Sequence, residues 1–165
     1  MVCLFRSGCG VVALLVALAG CTELIEDSGR ACVVPREVAC DCAEGEPCGP
    51  ELAILNSESG LCEGLYPPDT ELQLDVYMRG QSWAPSSDAQ CAIEIVDRQI
   101  VVRASYREST VRHTSDNWVF ETCAVPPLDL GTWTLVYGGE EADFVVGEPA
   151  PQTMACVGNS WDSGS

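Results

Sequence analysis

Three residues in one short segment have the types that a hydrolytic triad uses. His113 is the only histidine, and Ser115 and Asp116 follow it closely. In a working triad the histidine reaches the serine hydroxyl while the aspartate holds its other ring nitrogen, and neighbours within one turn do not readily adopt that geometry. The chain also lacks the Gly-x-Ser-x-Gly segment that presents a nucleophilic serine. We therefore interpret His113 as a solvated loop residue and predict no catalytic residue.

A second candidate for chemistry is the cysteine group Cys40, Cys42 and Cys48, which could bind a metal ion. Zinc sites usually separate two cysteine ligands by two to four residues and add a second ligand pair. Here Asp41 alone separates the first two cysteines. This spacing favours disulfides, and we predict no metal and no cofactor. The 25 acidic side chains can still place two carboxylates at a separation suited to hydrolysis, so a carboxylate hydrolase stays open as an alternative.

The N-terminal segment has the composition of an export signal. Arg6 precedes an unbroken run of apolar or small residues at 10–19, and a weakly basic start before an apolar run of about 7–15 residues is typical of secretory signals. A transmembrane helix needs roughly 20 apolar residues, so this run is too short to span a bilayer. We predict that residues 1–20 are a signal peptide.

The residues that end this run, Leu18-Ala19-Gly20-Cys21, resemble the lipobox of exported bacterial lipoproteins. The resemblance implies cleavage before Cys21, a diacylglyceryl group on its thiol and a further acyl chain such as palmitate on the new amine. Two or more chains hold a protein stably on a membrane, whereas one holds it only marginally. In that family an aspartate after the cysteine is associated with the inner membrane, so Thr22 implies the outer membrane of a Gram-negative bacterium.

The remaining cysteines favour the same oxidising compartment. Of eleven cysteines, Cys3 and Cys9 leave with the leader and Cys21 would be lipidated. An even number in a small exported chain predicts a disulfide framework. The candidates are Cys32, Cys40, Cys42, Cys48, Cys62, Cys91, Cys123 and Cys156.

The charge of the chain excludes one class of partner. It has 25 acidic residues against eight arginines and a formal net charge of −17. Nucleic acids need a basic protein surface, so we predict no nucleic-acid partner. Segment 22–75 is especially acidic and should be repelled by anionic headgroups, although acidity would equally keep an exported protein soluble. We predict a flexible tether over residues 22–31, which would span roughly 17 Å.

From residue 70 onward, apolar and polar residues alternate with the period of a half-buried β-strand. We predict strands at 71–79, 91–95, 100–107, 118–123, 132–137 and 142–146. Asp97-Arg98 should turn the second of these into the third. Gly138-Gly139 should join the last two, because glycine adopts the positive φ angles that a tight hairpin needs.

Two disulfide pairings follow from these predicted strands. Cys91 and Cys123 fall on different strands and are predicted to pair, which would contribute roughly 3–4 kcal/mol in the chain-entropy model. Cys156 lies beyond the last predicted strand, and its partner should be either Cys62 or Cys32. The other pairings stay open, since eight cysteines allow 105 connectivities.

Short strands separated by turn signals are typical of an antiparallel β-sandwich. Segment 127–135 (PLDLGTWTL) also resembles the Leu-x-x-Gly-x-aromatic-x-aliphatic start of the penultimate strand in immunoglobulin-like and fibronectin type III-like domains. Trp133 replaces the usual tyrosine there, and its indole N–H can still donate a hydrogen bond. The resemblance covers residues 70–147 at most and implies a scaffold, not an activity. The predicted fold class is all-β, an immunoglobulin-like antiparallel sandwich of six to seven strands preceded by a small cysteine-rich loop region.

The predicted organisation has five parts. They are a signal peptide at 1–20, a lipidated tether at 21–31, a cysteine-rich disulfide knot at 32–66, a β-sandwich at 67–148 and a tail at 149–165 that Cys156 pins to the body. The knot is rich in proline and glycine and has little apolar periodicity, so its bridges rather than a core would hold it together.

One small group of arginines stands out in this acidic chain. Arg103 and Arg107 should point outward from one strand, with Arg112 near its end, and we interpret them as a possible binding face for an acidic protein or a glycan. The sequence therefore predicts a membrane-bound lipoprotein of the cell envelope, acting as a non-catalytic binding or structural module. The alternatives are the carboxylate hydrolase and an inhibitor that presents a loop between Cys32 and Cys62.

Overall fold

The structure is a computed structural model that describes residues 22–41, 49–50, 62–80, 87–109 and 117–158. Within these ranges, no helix is long and apolar enough to cross a membrane. The predictions that lie outside the described residues concern Cys3, Cys9, Cys21, Cys42, Cys48, Arg112, His113, Ser115 and Asp116.

The described chain forms twelve β-strands. They are β1 (Thr22–Glu26), β2 (Arg30–Val34), β3 (Arg36–Cys40), β4 (Cys62–Leu65), β5 (Leu72–Gly80), β6 (Ser87–Val96), β7 (Gln99–Ser109), β8 (Asn117–Val125), β9 (Gly131–Tyr137), β10 (Glu140–Val146), β11 (Gln152–Thr153) and β12 (Ala155–Gly158). The pairings between these strands are antiparallel, apart from that of β7 with β9. The predicted all-β fold class is confirmed.

The strands build three sheets. The front sheet has five strands, β1, β6, β7, β9 and β10. The back sheet has the order β12-β2-β5-β8, and the small sheet has the order β11-β4-β3. Strands β1 and β9 pair with different parts of β7, β1 along residues 105–109 and β9 along residues 99–101. The immunoglobulin-like topology stays a prediction.

The front and back sheets enclose one hydrophobic core. Alternate residues of each strand point into it, such as Leu74 and Val76 of β5, which are fully buried. Burying an aliphatic side chain of this size contributes about 1.5–3 kcal/mol. The residues that alternate with them, Gln73, Asp75 and Tyr77, face the outer side of the back sheet because successive side chains alternate across a strand.

Both predicted hairpins are confirmed. Asp97 and Arg98, with φ of 47° and 66°, connect β6 to β7, and Gly138 and Gly139, with φ of 58° and 85°, connect β9 to β10. Positive φ at both central residues belongs to a type I′ turn, whose twist matches that of the paired strands. The six strands predicted from residue 70 onward correspond to β5–β10.

Two disulfides fasten the back sheet. Cys91–Cys123 ties β6 of the front sheet to β8 of the back sheet, as predicted. Cys32–Cys156 joins directly opposed residues of β2 and β12. Of the two partners predicted for Cys156, Cys32 is the one that forms the disulfide.

The small sheet covers part of the outer face of the back sheet. The Cys40–Cys62 disulfide joins β3 to β4 within it. Cys62 packs with Cys32, Tyr77 and Met154 in a second hydrophobic cluster, separate from the main core. The small sheet therefore buries the β2 side of this face through sulfur and aromatic contacts.

The segments predicted as a tether, a knot and a tail contain β-strands. Residues 22–26 form β1, which pairs with β7, and residues 30–34 form β2 inside the back sheet. The predicted knot at 32–66 is divided between the back sheet and the small sheet, and the predicted tail at 149–165 contributes β11 and β12. These strands are short, and pairing with distant residues forms them rather than local sequence preference.

The chain passes from the front sheet to the back sheet between Asp27 and Gly29. The Asp27 N–H donates to the carbonyl of Ala104 at 2.8 Å, and the Asp27 carboxylate accepts from the Ala104 N–H at 2.9 Å. Gly29 has a φ of 98°, and a Cβ at this position would overlap the carbonyl oxygen of Tyr77. Only glycine fits this crossing without strain.

The sandwich has two different ends. At the N-terminal pole, Thr22 of β1 pairs with Ser109 at the end of β7. At the loop pole, backbone hydrogen bonds join the connections 66–71, 126–130 and 147–151: the Asp69 N–H donates to Leu128 at 3.3 Å and the Gly147 N–H donates to Tyr66 at 2.8 Å. The loop pole also contains the turn between β6 and β7, because the Thr134 N–H donates to the carbonyl of Arg98 at 3.0 Å.

Trp133 fixes the loop that precedes β9. Its indole N–H donates to the carbonyl of Asp129 at 2.8 Å. The Arg98 guanidinium lies 5.6 Å from the centroid of the Trp133 ring and donates to the carbonyl of Leu130 at 2.9 Å. A cation over an aromatic face contributes about 0.5–1 kcal/mol at an exposed site.

Gln152 closes part of the edge of β10. Its carboxamide accepts from the Val145 N–H at 2.9 Å and donates to the Val145 carbonyl at 2.7 Å, so the side chain occupies backbone groups that a sheet edge would otherwise expose. We expect Gln152→Ala to lower the free energy of unfolding by about 1–2 kcal/mol, because both backbone groups lose their partner. Urea unfolding checks this, together with faster hydrogen exchange at the Val145 amide.

The control for this variant is Gln90→Ala, at an exposed position of β6. A surface substitution away from such features usually stays within about 0.5 kcal/mol of the wild type. An equal loss in both variants would show that the Gln152 bonds have no special role.

Candidate binding groove

A groove lies on the outer face of the back sheet, at the loop pole. Its cavity volume is about 510 Å³, within the range of small-ligand sites, about 300–1,000 Å³. We call it the β5–β8 groove. It is lined by Val34, Pro35, Arg36, Glu71, Leu72, Gln73, Thr122, Cys123 and Ala124.

Asp75 organises the floor of the groove. It is 6% exposed and lies opposite Thr122 in the pairing of β5 with β8. One of its carboxylate oxygens, Oδ1, accepts from Gln73 Nε2 at 2.7 Å and from Thr122 Oγ1 at 3.1 Å. A buried carboxylate needs such bonds to offset its lost hydration, so Asp75 sets the orientation of both floor side chains.

The wall of the groove is the link between the back sheet and the small sheet. Pro35 ends β2, since it has no N–H for further pairing. Arg36 follows and donates from Nη2 to the carbonyl of Glu71 at 3.1 Å. Gly64 of β4 lets the small sheet approach, because a Cβ there would lie 2.9 Å from the Pro35 side chain.

The open side of the groove lies along β8. Thr122 and Ala124 are exposed, and Phe120 further up the strand is 48% exposed. The Phe120 ring lies 4.9 Å from that of Tyr77, which anchors it to the sheet. The small sheet therefore leaves the β8 side of this face accessible, with an aromatic side chain beside the groove.

The arginines predicted to form a binding face lie elsewhere. Arg103 and Arg107 are both exposed on β7, and their spacing of four residues along one strand puts them on the same face, roughly 13 Å apart. Arg103 is opposite Ala92 of β6, and Arg107 is opposite Leu24 of β1, which is 50% exposed. The structure thus brings Arg103 and Arg107 to one flat face of the front sheet, while Arg112 lies outside the described residues.

The described residues contain no group of three or more His, Cys, Asp or Glu side chains that could hold a metal ion. The buried carboxylate of the groove, Asp75, accepts hydrogen bonds from its neighbours Gln73 and Thr122. The side chains of the groove can therefore bind a ligand through hydrogen bonds and charge.

Sequence reasoning missed the groove residues. Gln73 and Asp75 alternate with apolar residues of β5 and read as ordinary solvent-facing positions. Asp75 is buried because the outer face of its own sheet is partly covered. The alternation of polar and apolar residues along β5 does not predict this burial. The one available signal was Pro35-Arg36, a break between two short apolar segments.

Comparison with known proteins gives no family for this chain: no family model, no curated protein and no solved structure matches it.

Proposed function

We propose that this chain is an exported, lipid-anchored protein of the cell envelope, held at the outer membrane through Cys21, and that it is a non-catalytic binding module. The proposed binding site is the β5–β8 groove. The observation that supports this most is the separation of the two poles, because the strand that follows Cys21 starts at the N-terminal pole while the groove opens at the loop pole.

Strand β7 gives the distance between the poles. Ser109 pairs with Thr22, next to the proposed anchor, and Gln99 pairs with Thr134 near the loop pole. Ten residues of β7 separate these positions, which corresponds to roughly 33 Å at about 3.3 Å per residue. A bilayer at Cys21 would leave the groove facing away from the lipid and accessible to a partner.

The start of β1 at Thr22 also changes the expected attachment. Because β1 begins at Thr22, the residue after Cys21 in the sequence, the body would lie directly at the membrane surface. Glu23 and Glu26 of β1 are exposed near the anchor, and anionic headgroups repel such charges. This repulsion favours an upright body over one that lies flat.

The disulfides support export. Three bridges join described residues, and stable disulfides form in oxidising compartments such as the periplasm and the cell surface. The net charge of −17 supports a partner other than nucleic acid.

Replacing the proposed lipid-bearing cysteine tests the anchor. We expect Cys21→Ser to abolish labelling by a palmitate analogue and to move the protein from the membrane fraction to the soluble fraction, since no acyl chain can then be attached. Thr22→Ser, next to it, should leave both unchanged. Unaltered membrane association of the Cys21→Ser protein would contradict the lipid anchor.

Site-specific photo-crosslinking in intact cells tests the binding site. A photoreactive residue at Ala124, inside the groove, is expected to capture a defined partner. The same residue at Ala92, exposed on β6 of the front sheet, is the matched control and should not. Capture at Ala92 alone would move the site to the arginine face, and capture at neither position would contradict the binding function.

A second candidate function is inhibition, which the Cys40–Cys62 bridge favours. This disulfide closes the segment 41–61, and constraining a loop before binding lowers the entropy cost of binding. A photoreactive residue at Glu51 that captures a hydrolase, with none captured at Ala124, would favour the inhibitor over the groove.

A further inference from the structure

We propose that the β5–β8 groove takes a lysine or arginine side chain from an extended, basic polypeptide segment. This inference rests on the proposed function and names the class of partner that the groove would bind.

The floor of the groove presents hydrogen-bond acceptors. Thr122 directs its only hydroxyl proton at Asp75, so its remaining capacity is that of an acceptor. Gln73 donates one of its two N–H groups to Asp75, which leaves its carbonyl oxygen as an acceptor and its second N–H as a donor. The buried Asp75 side chain accepts from both of these groups. A ligand that supplies N–H donors and positive charge complements this floor.

The wall shows the same preference in the protein's own contacts. Arg36, at the mouth of the groove, donates from its guanidinium to the carbonyl of Glu71 at 3.1 Å. A backbone carbonyl at the mouth of the groove, that of Glu71, therefore already accepts a hydrogen bond from a guanidinium. Charge-assisted hydrogen bonds of this kind are roughly twice as strong as neutral ones.

The surroundings of the groove are acidic. At the loop pole, the exposed acidic residues among the described ones are Asp69, Glu71, Asp97, Asp129 and Glu148. The two arginines there, Arg36 and Arg98, each donate to a carbonyl of the same pole. A net negative field of this kind raises the local concentration of cationic partners and speeds their association.

The edge position of β8 favours an extended segment as the source of the cation. Among the described strands, β8 pairs only with β5, and the addition of an extended segment to a strand edge is a recurring mode of peptide recognition. A segment along this edge would pass Phe120, which is 48% exposed, and would place one side chain in the groove.

Fluorescence anisotropy with two labelled peptides tests this proposal, using the full mature chain in non-ionic detergent. The probes are an alternating Lys/Thr hexapeptide and the matching Glu/Thr hexapeptide. We expect saturable binding of the Lys/Thr peptide only, weakening several-fold between about 50 and about 300 mM salt as charges are screened. Equal binding of both peptides, or of neither, would overturn the proposal.

Two variants with the same change of charge locate the interaction. Glu71→Gln, at the groove, should weaken binding of the Lys/Thr peptide about fivefold, whereas Glu23→Gln, at the N-terminal pole, should change it less than about twofold. Equal effects would mean that net charge, not the groove, attracts the peptide, and would also overturn the proposal. Thr122→Lys should abolish binding, since it places a cation on the floor.

The outcomes separate this inference from the proposed function. If Ala124 captures a partner in cells while the Lys/Thr peptide does not bind, the groove is a binding site of another chemistry and only the inference fails. If Ala124 captures nothing, the proposed function fails as well.

Discussion

A Cys32→Ala/Cys156→Ala variant is expected to lose about 5 kcal/mol of unfolding free energy, in the chain-entropy model of a long closed loop. The two cysteines are 124 residues apart in sequence, so the bridge closes almost the whole body into one loop. Total stabilities of small domains are about 5–15 kcal/mol. The variant should therefore lose between about a third and all of its stability.

The matched control is the Cys40→Ala/Cys62→Ala variant. Its cysteines are 22 residues apart, and the same model gives a loss of about 3 kcal/mol. Urea unfolding followed by circular dichroism, with the other bridges intact, measures both losses. The expected order is a larger loss for the Cys32–Cys156 bridge. The reverse order would show that closing the long loop is not what stabilises this fold.

Raising the pH above 10 is expected to destabilise the protein through its buried tyrosines. Tyr66 is fully buried, and its hydroxyl donates to the Val33 carbonyl at 3.1 Å and accepts from the Ala155 N–H at 2.9 Å. Burial raises the pKa of Tyr66 to about 12. The pKa of Tyr137 is also raised, by burial and by its neighbours Asp27 and Tyr106.

The sign of the effect follows from proton binding. Below pH 10 the tyrosines are protonated in both states, and the stability is fully present. Above pH 10 the unfolded chain releases the phenol proton, whereas folded Tyr66 keeps it until about pH 12. The free energy of unfolding should therefore fall between these values, by about 3 kcal/mol for Tyr66 alone.

Urea unfolding at a series of pH values, together with tyrosinate absorbance, measures this loss. Tyr66→Phe removes this titrating group, so the free energy of unfolding of the variant should fall less steeply with pH above 10. The same variant should lose about 1–3 kcal/mol at neutral pH, because the Ala155 N–H is left without its acceptor. A free energy of unfolding that stays constant up to pH 12, with early tyrosinate formation in the folded protein, would refute the role given to burial.

The strands β5 to β10 and their two hairpins were predictable from the sequence. Leu74 and Val76 alternate with polar residues, which is the period of a strand with one buried face, and Asp97-Arg98 and Gly138-Gly139 supply the turns. The strand alternation and the tight turns depend only on residues that are close together in the sequence. The Cys91–Cys123 bridge followed because its two cysteines fall on different strands of that pattern.

By itself, then, the sequence determined which central segments form strands, where the chain turns tightly, and that the protein is acidic and rich in cysteine. The tertiary structure alone decided that segments 22–26, 30–34 and 152–158 are strands, because each is completed by backbone partners that lie far away in the chain. It also decided that Asp75 is buried beneath a groove. That position is polar in the strand pattern, and its burial depends on groups that lie far away in the chain, such as Thr122 of β8, which donates to the carboxylate.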